Sequence, residues 1–73
     1  MSLREILARN MRRVRAERGI SQEELAHRAK LNRNYVGMIE REEHAATVDT
    51  IDQLASALGV SPMDLLDPDA ATR

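Results

Sequence analysis

Apolar residues recur along this chain with a helical period, in short bursts that each follow a small polar residue. Leu3, Leu7, Met11 and Val14 stand at i, i+4, i+8 and i+11, the spacing of one helix face. Ser2-Leu3-Arg4-Glu5 ahead of them has capping-box form and Gly19 suits a helix stop, so a first helix is predicted over about Leu3–Arg18. A second, about Gln22–Ala29, starts at Ser21-Gln22-Glu23-Glu24, again of capping-box form, and turns Leu25, Ala26 and Ala29 inward. A third, about Arg33–Arg41, follows Asn32 and buries Val36 and Ile39. A fourth, about Val48–Leu58, lies between Thr47 and Gly59 with Val48, Ile51, Leu54, Ala55 and Leu58 inward. Ser61-Pro62-Met63-Asp64 opens a short fifth helix to Leu66, with Pro at the first helical position and an acid in the first turn. Leu65 or Leu66 should close the core. No sustained period-2 alternation is present, so the expected fold is all-α, five helices over residues 1–67. Asp67-Pro68 ends the pattern, and residues 68–73 are expected to be a flexible tail.

Only Lys30-Leu31-Asn32 separates the second helix from the third. Two helices joined so tightly must cross steeply, the helix-turn-helix arrangement. Ala26 is small where the helices approach, Leu31 can plug the gap, and Val36 and Ile39 anchor the third helix. Its leading outer face is left to solvent.

The chain has 73 residues, one domain's worth, and a core of this size supplies only about 3–5 kcal/mol. Cysteine is absent, and His27 and His44 lie seventeen positions apart without ligand-like spacing, so neither disulfide nor metal site is expected. No cofactor is expected either. A partner is the remaining support. No apolar run approaches the roughly 18–20 residues that span a bilayer and no signal segment follows Met1, which points away from the membrane and to the cytoplasm. An enzyme is not expected: there is no Cys nucleophile, no Ser set beside a His and a carboxylate, and no glycine-rich phosphate loop. Charge changes the picture more. The overall −1 divides unevenly, with ten Lys/Arg against five Asp/Glu in residues 1–41 and one against seven in 42–73. The basic half holds the helix-turn-helix and permits a nucleic-acid partner.

Ser21-Gln22-Glu23-Glu24-Leu25-Ala26, Leu31-Asn32-Arg33-Asn34-Tyr35-Val36 and Ile39-Glu40-Arg41, followed by Leu54-Ala55-Ser56-Ala57-Leu58-Gly59-Val60-Ser61, together resemble the Cro/C1-type (XRE family) helix-turn-helix domain over about Leu7 to Leu66. Three places depart from its pattern. Lys30 stands where a turn glycine is usual, Gly37 where Ser is frequent, and Glu42-Glu43-His44-Ala45-Ala46 where a Gly, basic residues and Pro normally help to hold phosphate.

The resemblance implies a compact lambda-repressor-like domain that binds double-stranded DNA with its third helix in the major groove. Arg33, Asn34, Gly37 and Met38 would then face the bases. Arg suits guanine O6/N7, Asn suits adenine N6/N7, Met38 could meet a thymine methyl, and Gly37 would permit close approach. Gln22, Arg41 and His44 become candidates for the DNA backbone, as does Tyr35, for which the other reading is a cover over the junction of the second and third helices. Arg15 and Glu40 match positions that form a structural ion pair. Val60, Met63 and Leu66 form spare apolar surface in a region through which family members often dimerise. Arg9, Arg12, Arg13 and Arg18 read as an ordinary solvated helix face. The implied function is a sequence-specific transcription regulator, a homodimer on a pseudo-palindromic operator, like restriction–modification controller proteins and small phage repressors. The alternative, suggested by the acidic second half, is a protein-interaction module such as an antitoxin with a protein partner.

Overall fold

The computed structural model describes residues 1–72, so Arg73, the last residue of the expected tail, lies outside the described residues. Its helices are α1 (Leu3–Arg18), α2 (Gln22–Ala29), α3 (Arg33–Glu40), α4 (Val48–Leu58) and α5 (Pro62–Leu66), followed by a 3₁₀ turn at Ala70–Thr72. Every α-helix begins on a side chain that takes up an otherwise unpaired N–H. Ser2 accepts from Glu5, Ser21 from Glu24, Asn32 from Asn34, Thr47 from Thr50 and Ser61 from Met63. In α1 and α5 the bond is returned, by Glu5 to the Ser2 N–H and by Asp64 to the Ser61 N–H. Each such cap is worth about 1 kcal/mol.

One device ends α1, α2 and α4. A residue in the left-handed conformation reverses the chain, and its N–H and the next one close back on the last turn. Gly19 and Ile20 do so on Ala16 and Arg15, Lys30 and Leu31 on His27 and Ala26, and Gly59 and Val60 on Ser56 and Ala55. Ile20, Leu31 and Val60, the apolar residues just past each reversal, all rest partly buried against the core. Lys30 holds φ 60° and Glu42, at the end of α3, φ 61°. Glycine would take up both positions without strain from a Cβ.

The core joins Leu7, Met11 and Val14 of α1, Leu25, Ala26 and Ala29 of α2, Val36 and Ile39 of α3, Leu54, Ala55 and Leu58 of α4, and Leu65 of α5. Leu65 is therefore the residue that closes it, with Leu66 only half-buried beside it. Leu3 and Val48, expected inward, are 63% and 83% exposed. Each is the first residue of its helix and precedes the turn that goes under neighbouring elements. Ile6, Ala8 and Asn10 are buried instead, because α1 is covered on one side by α3 and on the other by α5 and the 3₁₀ turn. The Asn10 amide nitrogen donates to the carbonyls of Leu65 and Asp67, 2.9 Å each, and ties the chain end down. Beyond Asp67 the described residues form one more turn, Ala70–Thr72. Ala70 and Thr72 close turns on Asp67 and Asp69, against α1.

Candidate nucleic-acid interface

The first turn of α3 projects from the body. Arg33 and Asn34 are exposed, while Val36 and Ile39 on the opposite side are enclosed in the core, where α3 packs on α1 and α2. The Asn32 side chain is spent on the helix cap. Among the described residues neither the Arg33 nor the Asn34 side chain is held by another group. Two donor-rich side chains thus stand free on a braced helix end, the arrangement that reading base edges requires.

Behind this turn lies a polar knot that fixes α3. Arg15 Nε and Nη2 donate to Glu40 Oε2 and Oε1 at 2.9 and 3.1 Å, and the Gln22 amide nitrogen adds a bond to Oε1 at 2.9 Å. The Glu40 side chain is only 3% exposed, so these donors replace its water. Arg15 also donates to the Ile20 carbonyl, and Arg12 donates to the Glu40 carbonyl. Arg12, expected on a solvated face, is exposed and still makes this bond. Its place three residues before Arg15, on the side that meets α3, was the available signal. Arg18 is likewise exposed and donates to the Leu58 carbonyl at the end of α4.

Gly37 departs from its expected place on the open outer face. It is buried, not by the core but beneath two polar side chains, since an added Cβ would stand 2.9 Å from Arg41 Nη1 and 3.3 Å from Gln22 Oε1. Met38 is half-buried. Tyr35 is half-buried and meets His44 edge to face, ring centroids 4.9 Å apart at 75°, which draws the loop after α3 onto the helix. Arg41 forms a two-pronged pair with Glu43, at 2.9 and 3.1 Å. That contact holds the Glu43 carboxyl below its usual pKa and raises the Arg41 guanidinium. Glu24 is also held below the usual range, by its hydrogen bond with Arg28 on the outer side of α2. Gln22, Gly37 and Arg41 are therefore gathered at one edge of α3, and Tyr35 and His44 meet in a separate pair.

Far from α3 in the sequence, Met63 is 75% exposed and Val60 and Leu66 are half-buried. Among the described residues no group of His, Cys, Asp and Glu is placed to hold a metal ion, and no helix is long and apolar enough to cross a membrane.

A short turn, a braced third helix and a free leading edge define the class: a DNA-binding helix-turn-helix domain. The family model described as Helix-turn-helix matches residues 11–65, and the chain belongs to that family of transcription regulators, which are not enzymes. It is 46% identical over 66 residues to a hypothetical transcription factor of Neisseria meningitidis, covering 90% of this chain and 62% of that protein, so it spans less than two thirds of that relative. It is 44% identical over 66 residues to the control protein C.SmaI of Serratia marcescens, covering 90% and 79% of the two chains. The crystal structure of a hypothetical transcription factor from Neisseria superposes with a TM-score of 0.92 at 42% identity, over 97% of this chain and 82% of the other. The restriction–modification controller protein C.Esp1396I, crystallised as a tetramer on its natural 35 base-pair operator, superposes with a TM-score of 0.81 at 28% identity, over 89% and 86%.

Proposed function

We propose that this chain is a sequence-specific transcription regulator that binds a pseudo-palindromic operator as a homodimer, with α3 of each copy in the major groove. The observation that carries this reading is the pair Arg33 and Asn34, exposed and uncommitted on the leading turn of a helix anchored by Val36, Ile39 and the Glu40 knot. Arg33 would bond guanine and Asn34 adenine, each good bidentate contact discriminating by roughly 1–3 kcal/mol. Met38 would add apolar contact at the same face. Gln22, Arg41, and the Tyr35–His44 pair would engage phosphates to either side and set the register. The operator complex of C.Esp1396I supports this reading.

One module of this kind buries only about 600–1,000 Å², so useful affinity needs a second. Val60, Met63 and Leu66 form the proposed dimer surface, which would place the two α3 helices in successive major grooves about 34 Å apart. Such a regulator works in the cytoplasm. Gel-shift titration against promoter fragments tests the proposal. A retarded complex on one fragment that survives excess random duplex supports it. Equal competition by every duplex across the whole salt range would overturn it.

A further inference from the structure

Glycine inside a helix weakens it, yet α3 has one in its middle at Gly37. What occupies the space of its missing side chain is the guanidinium of Arg41, one turn further along the same face. With a Cβ at position 37, Arg41 Nη1 would be 2.9 Å away and Gln22 Oε1 3.3 Å, so the guanidinium would have to swing aside and the amide give by a few tenths of an ångström. The opposite edge of the same guanidinium is gripped by Glu43 through Nε and Nη2. Glu43 is delivered there by the end of the helix: Glu42 turns left-handed, and the Glu43 N–H closes on the Met38 carbonyl.

We infer that Gly37, Arg41 and Glu43 form a latch at the edge of the recognition helix, in which Gly37 seats the Arg41 guanidinium, Glu43 holds it there, and a DNA phosphate takes the place of Glu43 on binding. The inference rests on the DNA-binding reading and adds to it how one phosphate contact is prepared and tuned. A carboxylate and a phosphate offer a guanidinium the same two-oxygen acceptor, so the exchange needs no rearrangement of Arg41. Both partners are more than half exposed, so the pair is weak enough to yield. Glu43 and Gly37 are positioning residues: neither needs to touch DNA. Glu43 holds Arg41 ready and also competes with the phosphate, and competition dominates because the seat over Gly37 and the Gln22 side chain remains when Glu43 is neutral.

The test uses a duplex selected from a random pool by the wild-type protein and a scrambled duplex of equal length, with binding followed by fluorescence anisotropy at several salt concentrations. Glu43→Gln should tighten binding by roughly twofold to fivefold, the range an exposed pair can supply. That gain should vanish in an Arg41→Gln background. Glu42→Gln removes the same charge one residue away without touching the latch, and its smaller gain should persist there. Gly37→Ala, verified as folded by circular dichroism, should lower the salt slope by about one, as Arg41→Gln does, and the two together should do no more. Equal gains from Glu42→Gln and Glu43→Gln that ignore Arg41, or a Gly37→Ala protein with the wild-type salt slope, overturn the latch while leaving DNA recognition standing. A wild-type chain that retains no duplex at all overturns both.

Discussion

Arg15 of α1 and Glu40 of α3 are joined by two parallel hydrogen bonds, and the carboxylate is almost completely enclosed. Desolvating that charge is tolerable only because Arg15 and Gln22 surround it with donors. Removing the cation alone strands the anion. Arg15→Ala should therefore cost about 3–5 kcal/mol in urea-unfolding free energy, most of what a chain of this size has. Arg28→Ala, which breaks an exposed pair with Glu24 of similar length, should change stability little. Equal losses from the two would mean that burial does not set the worth of the Arg15 pair.

Asn10 performs a second piece of stitching. It is buried, and both donors of its amide are used on carbonyls at the end of α5. Asn10→Leu keeps the volume but leaves the Leu65 and Asp67 carbonyls without that donor, a loss of about 1–3 kcal/mol for each one that water cannot reach. Hydrogen exchange should show where the damage falls: amides of α5 lose protection before those of α2 and α3. Uniform loss over all helices would contradict the assignment.

The helices were legible because their signals are local. Caps at Ser2, Ser21, Asn32, Thr47 and Ser61, and the stops at Gly19 and Gly59, act over three or four residues, and α1, α2, α4 and α5 have the bounds the sequence pattern implies. α3 ends one residue earlier, at Glu40, because Arg41 already opens out of the helical range, to φ −92° and ψ 4°, before Glu42 reverses the chain. Burial at helix starts was not legible. Leu3 and Val48 satisfy an apolar period, but nothing in the sequence tells how far a neighbouring element reaches. Nor could periodicity distinguish Arg12 and Arg18, which hold distant carbonyls, from arginines that merely face water. Gly37 illustrates a third limit. A missing side chain signals that something approaches closely, and only the folded chain shows an approach by its own Arg41.

Arg33 and Gln22 occupy different parts of the interface and should fail differently. Arg33 stands exposed on the leading turn of α3, while the Gln22 amide nitrogen is bound to Glu40, away from any base. Arg33→Ala should relax the preference at one base position, losing about 1–3 kcal/mol of discrimination there. Gln22→Ala should weaken binding to all duplexes alike. Profiling both variants on a library of single-base operator changes checks this, and an even loss for Arg33→Ala would remove it from the base-reading set.

Lys30 carries strain that a conservative change can relieve. It stands left-handed at the end of α2, where its backbone N–H is satisfied but its Cβ crowds the carbonyl. Lys30→Gly should raise stability by about 0.5–1 kcal/mol after allowing for the greater freedom of glycine in the unfolded chain, or roughly 2–8 °C in Tm for a domain of this size. Calorimetry decides it. A fall in Tm would mean that the lysine side chain contributes more than the turn costs it.

Met63 gives the assembly prediction its sharpest form. It lies 75% exposed on α5 beside the half-buried Val60 and Leu66, so a charge there disturbs little within one chain. In the proposed homodimer the same charge would be buried without a partner, which is costly at any interface. Met63→Asp should leave the helical content and Tm of dilute protein nearly unchanged, while sedimentation shows a shift from dimer to monomer. DNA binding should weaken at least tenfold, because two half-sites would no longer be engaged together. The order of events matters as much as the size. A variant that remains dimeric moves the interface elsewhere, whereas one that becomes monomeric yet binds a full operator as tightly as before removes pairing through α5 from the mechanism.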